Sequence, residues 1–256
     1  MQKRIIFCDC KGEIIDVKTK ESVHLHILSK EVDVIELSDI CGLATTDKDS
    51  LKKIVMDGSE VLFLACHPRA VTMLLGYAGL DTASNWFFED MRSTPVDLIK
   101  NRIDLFLQEN SSVKILQRIE SDPSWPSWFP VIDYTRCTSC GQCADFCLFG
   151  VYEKIEETVK VVNPKGCKNN CPACARICPQ IAIVFPKYNQ DGAISGSDSF
   201  DELTEQHRQV ADMEKILGGD VYKALEERKK KRQSIIKADV LRKAMEERDI
   251  AMKQKK

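Results

Sequence analysis

Hydrophobic and polar positions in the first 118 residues alternate between strand-like and helix-like patterns. Short apolar runs predict four buried strands, at Ile5–Cys10, Val32–Leu37, Val61–Cys66 and Trp86–Phe88. Helices are predicted over Thr19–Lys30, Asp47–Met56 and Arg69–Leu80, and from Thr94-Pro95 onward, with Thr94 as the N-cap. This alternation predicts a parallel sheet flanked by helices, and therefore an α/β domain over residues 1–120.

The rest of the chain is predicted to form a small cysteine-rich domain and a helical tail. Residues 121–136 hold three prolines and two tryptophans and are expected to form a packed linker. Residues 137–187 form the cysteine-rich domain, in which residues 151–162 resemble a hairpin. Residues 188–256 form the tail, which begins with a polar linker at 189–199. Ser199 and Glu202 fit a capping box for a helix that Gly218-Gly219 would end.

Charge is distributed unevenly along the chain. Residues 221–256 contain 13 Lys and Arg against 6 Asp and Glu, whereas the first 220 residues contain 24 against 33. The acidic body argues against nucleic-acid binding. The longest apolar runs are too short for a membrane helix, and the N-terminal residues do not form a secretory signal. We therefore expect a cytoplasmic protein without a membrane partner.

Twelve cysteines in 256 residues are too few for a disulfide scaffold, and their placement points to metal binding. Eight occur in two runs with short, regular spacers, as in ferredoxins that bind two [4Fe–4S] clusters. In that arrangement the fourth cysteine of each run ligates the other cluster. The first cluster is therefore assigned to Cys137, Cys140, Cys143 and Cys178. The second is assigned to Cys147, Cys167, Cys171 and Cys174. Two all-cysteine zinc sites are the alternative.

About 50 residues of the chain resemble the two-cluster bacterial ferredoxins. In this resemblance Ile132-Asp133 and Ile181–Phe185 would pair as the outer strands. Two positions depart from the usual pattern. Leu148 follows Cys147 where the family usually has proline, and three residues separate Cys167 from Cys171 where two are usual. The extra residue is expected to distort the loop near Cys167 without preventing ligation.

The other four cysteines follow predicted strands. They are Cys8, Cys10, Cys41 and Cys66. In a parallel sheet all four would lie at the carboxyl edge, where open α/β sheets bind their ligands. A third [4Fe–4S] cluster is the preferred interpretation. Buried inert thiols, a zinc site and a redox-active disulfide are the alternatives.

The segment Phe7–Cys10, together with Cys41 and the segment Ala65–Arg69, is similar to the N-terminal part of the flavin-containing polypeptide of heterodisulfide reductase and its relatives. The resemblance covers roughly the first 80 residues and implies an additional iron–sulfur cluster. The flavin domain of that family is absent, and no G-x-G-x-x-G follows a predicted strand. Flavin binding is therefore not expected.

Single histidines, tryptophans and an arginine lie near these motifs. His67 is expected to be a surface histidine at a strand end, and Arg69 to balance cluster charge or contact a partner. His24 and His26 are expected to be solvated, whereas Trp125 and Trp128 are expected to be packing residues.

Two or three clusters without a catalytic motif predict an electron-transfer subunit of a larger anaerobic redox complex. Electrons would pass between the ferredoxin clusters and the N-terminal site, and the basic tail would dock larger redox or metalloenzyme subunits. A reductive activation factor for a nickel or corrinoid enzyme is one alternative. A thiol/disulfide reductase that uses the N-terminal cysteines is another.

Overall fold

An α/β unit occupies the first half of the chain. The computed structural model describes residues 2–10, 12–55, 58–108, 114–217, 223, 226–227 and 230–231. In the α/β unit the elements are β1 (Lys3–Cys8), α1 (Val17–Leu28), β2 (Asp33–Leu37), α2 (Ile40–Thr46), α3 (Lys48–Val55), β3 (Glu60–Ala65), α4 (Pro68–Tyr77), β4 (Trp86–Asp90), α5 (Val96–Phe106) and β5 (Ile115–Ile119).

The five strands form one parallel sheet in the order β4-β3-β1-β2-β5. The predicted parallel sheet with flanking helices is thereby confirmed. Strands β1, β2 and β3 lie in its centre and are almost entirely buried, which explains why their sequences are apolar on both faces. The buried carboxylate of Asp33 in β2 accepts a hydrogen bond from Arg4 Nε at 2.7 Å.

Three details of the α/β unit differ from the sequence prediction. The sequence does not predict strand β5, because it is an edge strand with exposed side chains, and its apolar residues are neither continuous nor alternating. The sequence does not predict helix α2 either, and the segment predicted as Asp47–Met56 is α3. Helix α5 begins at Val96 with Pro95 as its N-cap, so that the prediction of Thr94 as N-cap is wrong by one residue.

The cysteine-rich unit follows the α/β unit and is built from short elements. These are β6 (Val131–Ile132), α6 (Gln142–Phe146), β7 (Tyr152–Ile155), β8 (Thr158–Val161), α7 (Ala173–Arg176), β9 (Ile183–Val184) and α8 (Glu202–Leu217). Strands β6 and β9 pair antiparallel, and β7 and β8 form a hairpin. Both the predicted pairing of the outer strands and the predicted hairpin are confirmed.

The two segments predicted as linkers are packed into the structure. Residues 121–136 include β6, and the ring of Trp128 stacks on that of Phe185 with 5.1 Å between centroids. The predicted polar linker 189–199 contains a buried 3-10 turn, Ala193–Ser195. The buried ring and turn show that both segments belong to the folded body of the protein.

The N-terminus of α8 is capped differently from the predicted Ser199–Glu202 capping box. Asp201 Oδ1 accepts a hydrogen bond at 2.7 Å from the backbone N–H of Thr204. Gly218-Gly219 and most of residues 221–256 lie outside the described residues. In the described part of the chain, no helix is both long and apolar enough to cross a bilayer.

Arg69 of α4 joins the two units. Its Nε donates to Asp133 Oδ2 at 3.0 Å, and its Nη2 donates to the backbone oxygen of Ile181 at 3.0 Å. The side chains of Arg69 and Asp133 are only 8% and 4% exposed. Next to this ion pair, Gly196 approaches α4 so closely that a Cβ atom there would lie 2.7 Å from Ala70 Cβ. The two units therefore meet along α4 in a close, charge-paired contact.

Replacing Arg69 by Met should destabilise the chain because it leaves the buried carboxylate of Asp133 without its cation. The expected loss in the free energy of unfolding is about 3–5 kcal/mol. Equilibrium urea unfolding of the cluster-loaded protein under anaerobic conditions, followed by tryptophan fluorescence, measures it. The matched control is Arg102→Met, which removes an ion pair to Glu89 from a half-exposed arginine and should cost less than about 1 kcal/mol. Equal shifts for both variants would contradict the assignment.

Candidate metal centres

The two cysteine runs of the ferredoxin-like unit fold into matching loops. In the first run, Ser139 and Gly141 have positive φ angles of 54° and 85°, which turn the chain tightly before α6. In the second run Asn170 has a φ of 56°, a conformation that Asn tolerates better than most residues. Each loop leads into a short helix, α6 or α7. The loops therefore present their cysteines around two separate cavities.

The two cavities contain the two predicted sets of four cysteines. The first is lined by Cys137, Cys140, Cys143 and Cys178. The second, with a volume of about 380 Å³, is lined by Cys147, Cys167, Cys171 and Cys174. The first cavity is smaller, with a volume of about 20 Å³. Each cavity thus takes three cysteines from one run and one from the other, as the crossed assignment requires.

The departures from the usual ferredoxin pattern are located at the second cavity. Lys168 and Leu148 both line it. The backbone N–H of Cys171 donates to the oxygen of Lys168 at 3.2 Å, so that the longer spacer closes into a turn. The extra residue is accommodated by this turn, and both Cys167 and Cys171 still line the cavity.

Burial strongly disfavours the thiolate form of Cys167 and Cys174. Burial, together with a smaller effect of neighbouring thiols, raises the pKa of Cys167 to about 12 and that of Cys174 well above its usual value. In the absence of positive charge these two thiols are therefore protonated at neutral pH. Iron ions would supply the charge that stabilises the deprotonated ligands.

The four N-terminal cysteines lie where the sequence predicts them, at the carboxyl edge of the sheet. Cys8 ends β1, Cys10 follows two residues later, and Cys66 directly follows β3. Cys41 is in the first turn of α2, where its backbone N–H donates to Asp39 Oδ1 at 3.1 Å. All four are at most 5% exposed. The α/β unit thus contains a buried group of four thiols.

Charged side chains surround this group. Lys187, from the ferredoxin-like unit, donates to Asp39 Oδ2 at 2.6 Å and to the backbone oxygen of Pro126 at 2.9 Å. Burial lowers the pKa of Lys187, but Cys41, Asp39 and Cys10 raise it more, so that its net pKa is raised. Burial also raises the pKa of Cys66, to about 12. Lys187 is therefore a permanent cation beside thiols that need positive charge.

Three buried polar side-chain atoms near cysteines have no hydrogen-bond partner among the described residues. They are Arg92 Nη1, Trp128 Nε1 and Gln142 Oε1. The buried His67 Nε2 lies 2.9 Å from Asp191 Oδ1. The positive charge of Arg92 lowers the pKa of the nearby Cys66 thiol, and the indole N–H of Trp128 lowers that of the Cys167 thiol, although burial raises both pKa values more. Gln142 lines the first cavity. The unpaired N–H groups of Arg92 and Trp128 fit an anionic sulfur-containing group bound at these sites.

The geometry of the thiols also bears on the zinc and disulfide alternatives. No group of three or more His, Cys, Asp and Glu within the described residues is arranged to hold a metal ion. A single zinc needs all its sulfurs about 2.3 Å from one ion, whereas a cluster binds each cysteine to a different iron. All twelve cysteines are free thiols.

The expectation for His67 is wrong. His67 is 1% exposed and lies 2.8 Å through Nδ1 from Asp90 Oδ2, so that it is not a surface residue. Burial raises the pKa of Asp90, but hydrogen bonds from His67 and Ser93 outweigh it and lower the pKa to about 2. Arg69 forms a buried ion pair with Asp133, and its expected role toward a cluster or a partner stays a prediction.

The expectations for the other single residues are partly correct. His24 and His26 are half-buried and paired with Glu36 and Asp104, and neither lies among the cysteines. Trp125 is a packing residue, as predicted, since it stacks on Phe129. Trp128 packs on Phe185 and also lies beside Cys167. Sequence reasoning missed Asp39, Arg92, Tyr152 and Lys187, which occur in no recognisable motif.

Comparison with known proteins supports the ferredoxin-like interpretation. The profile of a 4Fe-4S binding domain matches residues 130–150. A protein described as an uncharacterized ferredoxin, from Methanocaldococcus jannaschii, is 46% identical over 61 residues. That stretch is 23% of this chain and 42% of the relative. The chain carries an iron–sulfur, ferredoxin-like electron-transfer unit. No solved structure matches.

Paired cysteine replacements test the crossed assignment of ligands. Single alanine variants at Cys140, Cys147 and Cys178 should each lose about four irons. Cys140→Ala with Cys178→Ala should again lose only about four, because both residues line the first cavity. Cys140→Ala with Cys147→Ala should lose about eight, although both are in the same run. Iron and acid-labile sulfide analysis measures these losses. The opposite pattern for the two double variants would refute the crossing.

Proposed function

We propose that this protein is an iron–sulfur electron-transfer subunit of a larger, heterodisulfide-reductase-like anaerobic redox complex. It would hold two [4Fe–4S] clusters in the ferredoxin-like cavities and a third at Cys8, Cys10, Cys41 and Cys66. The observation that carries the proposal is the buried group of four thiols at the carboxyl edge of the sheet, in direct contact with the ferredoxin-like unit through Lys187.

The ferredoxin-like unit packs against the N-terminal thiol group along one side. Lys187 donates a hydrogen bond to Asp39 across the boundary. Gly12 lies close to both Cys10 and Lys187, since a Cβ atom at Gly12 would be 3.4 Å from Cys10 Sγ and 4.0 Å from Lys187 Cδ. Cys167 packs against both hydrophobic clusters, and among the eight ferredoxin-type cysteines it alone packs against the cluster that contains the central strands of the sheet. Cys167 thus lies at the boundary between the two units.

When bound, the clusters supply one-electron transfer at low potential. The chain supplies the thiols and the hydrogen-bond donors that act on them, such as the backbone N–H of Gly12, 3.4 Å from Cys10 Sγ. Burial keeps water away from the N-terminal thiols. Lys187 and Arg92 offset the negative charge of four thiolates and their iron–sulfur core.

The geometry does not favour a thiol/disulfide reductase. Such an enzyme needs an accessible, low-pKa thiol to attack its substrate. Cys8 and Cys41 are only 3% and 2% exposed, and burial raises the pKa of each well above its usual value. Exclusion from solvent is instead suited to a group that exchanges electrons without contact with its substrate.

Metal analysis of the anaerobically purified protein tests the third cluster. We expect about 12 irons per chain, with about 8 after Cys41→Ala or Cys66→Ala, and again about 8 in the double variant, because both residues belong to one site. The electron paramagnetic resonance signals of the two ferredoxin clusters should persist in all three variants. Cys140→Ala is the matched control and should remove a ferredoxin signal instead. Eight irons in the unmodified protein, or one zinc, would reject the third cluster.

Removing residues 232–256 tests the proposed docking role of the basic tail. We expect unchanged iron content and a loss of stable association with the catalytic subunit of the complex. Replacing the five basic residues Arg228–Arg232 by glutamine in the full chain should weaken the association in the same direction. Raising the salt concentration should weaken the unmodified complex, since exposed charges are screened. Pull-down and sedimentation measurements follow the association. An intact, salt-insensitive complex in both variants would contradict docking by the tail.

A further inference from the structure

Tyr152, the first residue of β7, is buried and lines the second ferredoxin-like cavity. Its side chain is only 3% exposed. The phenol O–H donates to Cys174 Sγ at a distance of 3.1 Å. The ring also lies near the thiols of Cys143, in the first set, and Cys147, in the second. The hydroxyl nevertheless makes its hydrogen bond with the second set alone.

Trp128 offers a second side-chain donor to the same set of cysteines. Its indole N–H is buried, has no hydrogen-bond partner among the described residues, and lies beside the thiol of Cys167. Trp128 and Tyr152 come from different segments of the chain. Their polar groups converge on two cysteines of the second cavity, Cys167 and Cys174.

The thiols of the first cavity receive their hydrogen bonds from the backbone instead. The N–H of Ser139 donates to Cys137 Sγ, and that of Ala182 donates to Cys178 Sγ, both at 3.4 Å. Tyr134 lies near Cys137 and Cys143, but its hydroxyl donates to the backbone oxygen of Val159 at 3.1 Å instead of to sulfur. The two cavities therefore differ in the kind of donor that acts on their ligands.

We infer that Tyr152 and Trp128 are positioning residues that raise the reduction potential of the second cluster by hydrogen bonding to Cys174 and Cys167. The inference rests on the proposed binding of clusters in both cavities. A hydrogen bond to a ligand sulfur stabilises the more negative, reduced state of a cluster more than the oxidised state. The first cluster depends on backbone donors and should be insensitive to these two side chains.

Anaerobic redox titration of the complete protein, followed by electron paramagnetic resonance, tests the inference. Tyr152→Phe keeps the ring and removes the hydroxyl. We expect the reduction potential of one ferredoxin cluster to become more negative by about 59 mV. For a one-electron couple this corresponds to a tenfold change in the ratio of reduced to oxidised cluster. Trp128→Phe should move the same transition in the same direction, and the double variant should move it further.

Tyr134→Phe and Trp125→Phe are the matched controls and should leave both ferredoxin transitions in place. Iron and sulfide content, measured on each sample, separates this inference from the proposed function. Fully loaded Tyr152→Phe and Trp128→Phe proteins with unchanged potentials would overturn the inference alone, as would equal shifts in the controls. An unmodified protein without iron in the second cavity would overturn the proposed function itself. If Tyr152→Phe does not load, the result for Trp128→Phe decides.

Discussion

The energetic cost of burying ionisable thiols is the constraint on which the rest of this structure depends. Cys8, Cys41 and Cys174 are withdrawn from water, and burial raises the pKa of each well above its usual value. A thiol in such a place is either an inert, protonated hydrophobe or the ligand of a cation. The unpaired N–H groups of Arg92, beside Cys66, and of Trp128, beside Cys167, favour the second state at those two cysteines, because they are placed to stabilise negative charge on sulfur.

The contact between the two units relies on the same electrostatics. Arg69 and Lys187 each cross the boundary, and their carboxylate partners, Asp133 and Asp39, are nearly inaccessible to water. A buried ion pair contributes little net stability, but loss of one partner is costly. These pairs therefore favour one relative placement of the two units over others. Lys187 has an additional effect, since it brings a positive charge from the ferredoxin-like unit to the thiols of the α/β unit.

Sequence patterns predicted the parts of the structure that have a local signal. The central strands are apolar because both faces are covered, and the cysteine spacing predicts the crossed pairing of the two cavities. Strand β5 is exposed and has no such pattern. The roles of Lys187 and Tyr152 depend on contacts over long sequence separations, since Asp39 and Lys187 are 148 positions apart. A single lysine or tyrosine contains no information about a partner so distant. Burial of His67 was likewise unpredictable, because its partner Asp90 comes from another strand.

The order of the strands explains why the four N-terminal cysteines meet. Strand β1 is central, with β2 on one side and β3 on the other, so that the chain after β1 lies between the chain segments that follow its two neighbours. Cysteines occur after these three strands and after neither edge strand, β4 or β5. A cysteine that followed an edge strand would be separated from the cysteines of the central strand β1 by one intervening strand. The four N-terminal cysteines thus follow three strands that are neighbours in the sheet, so that they meet at its carboxyl edge. Ligand sites in open α/β sheets usually lie at this edge.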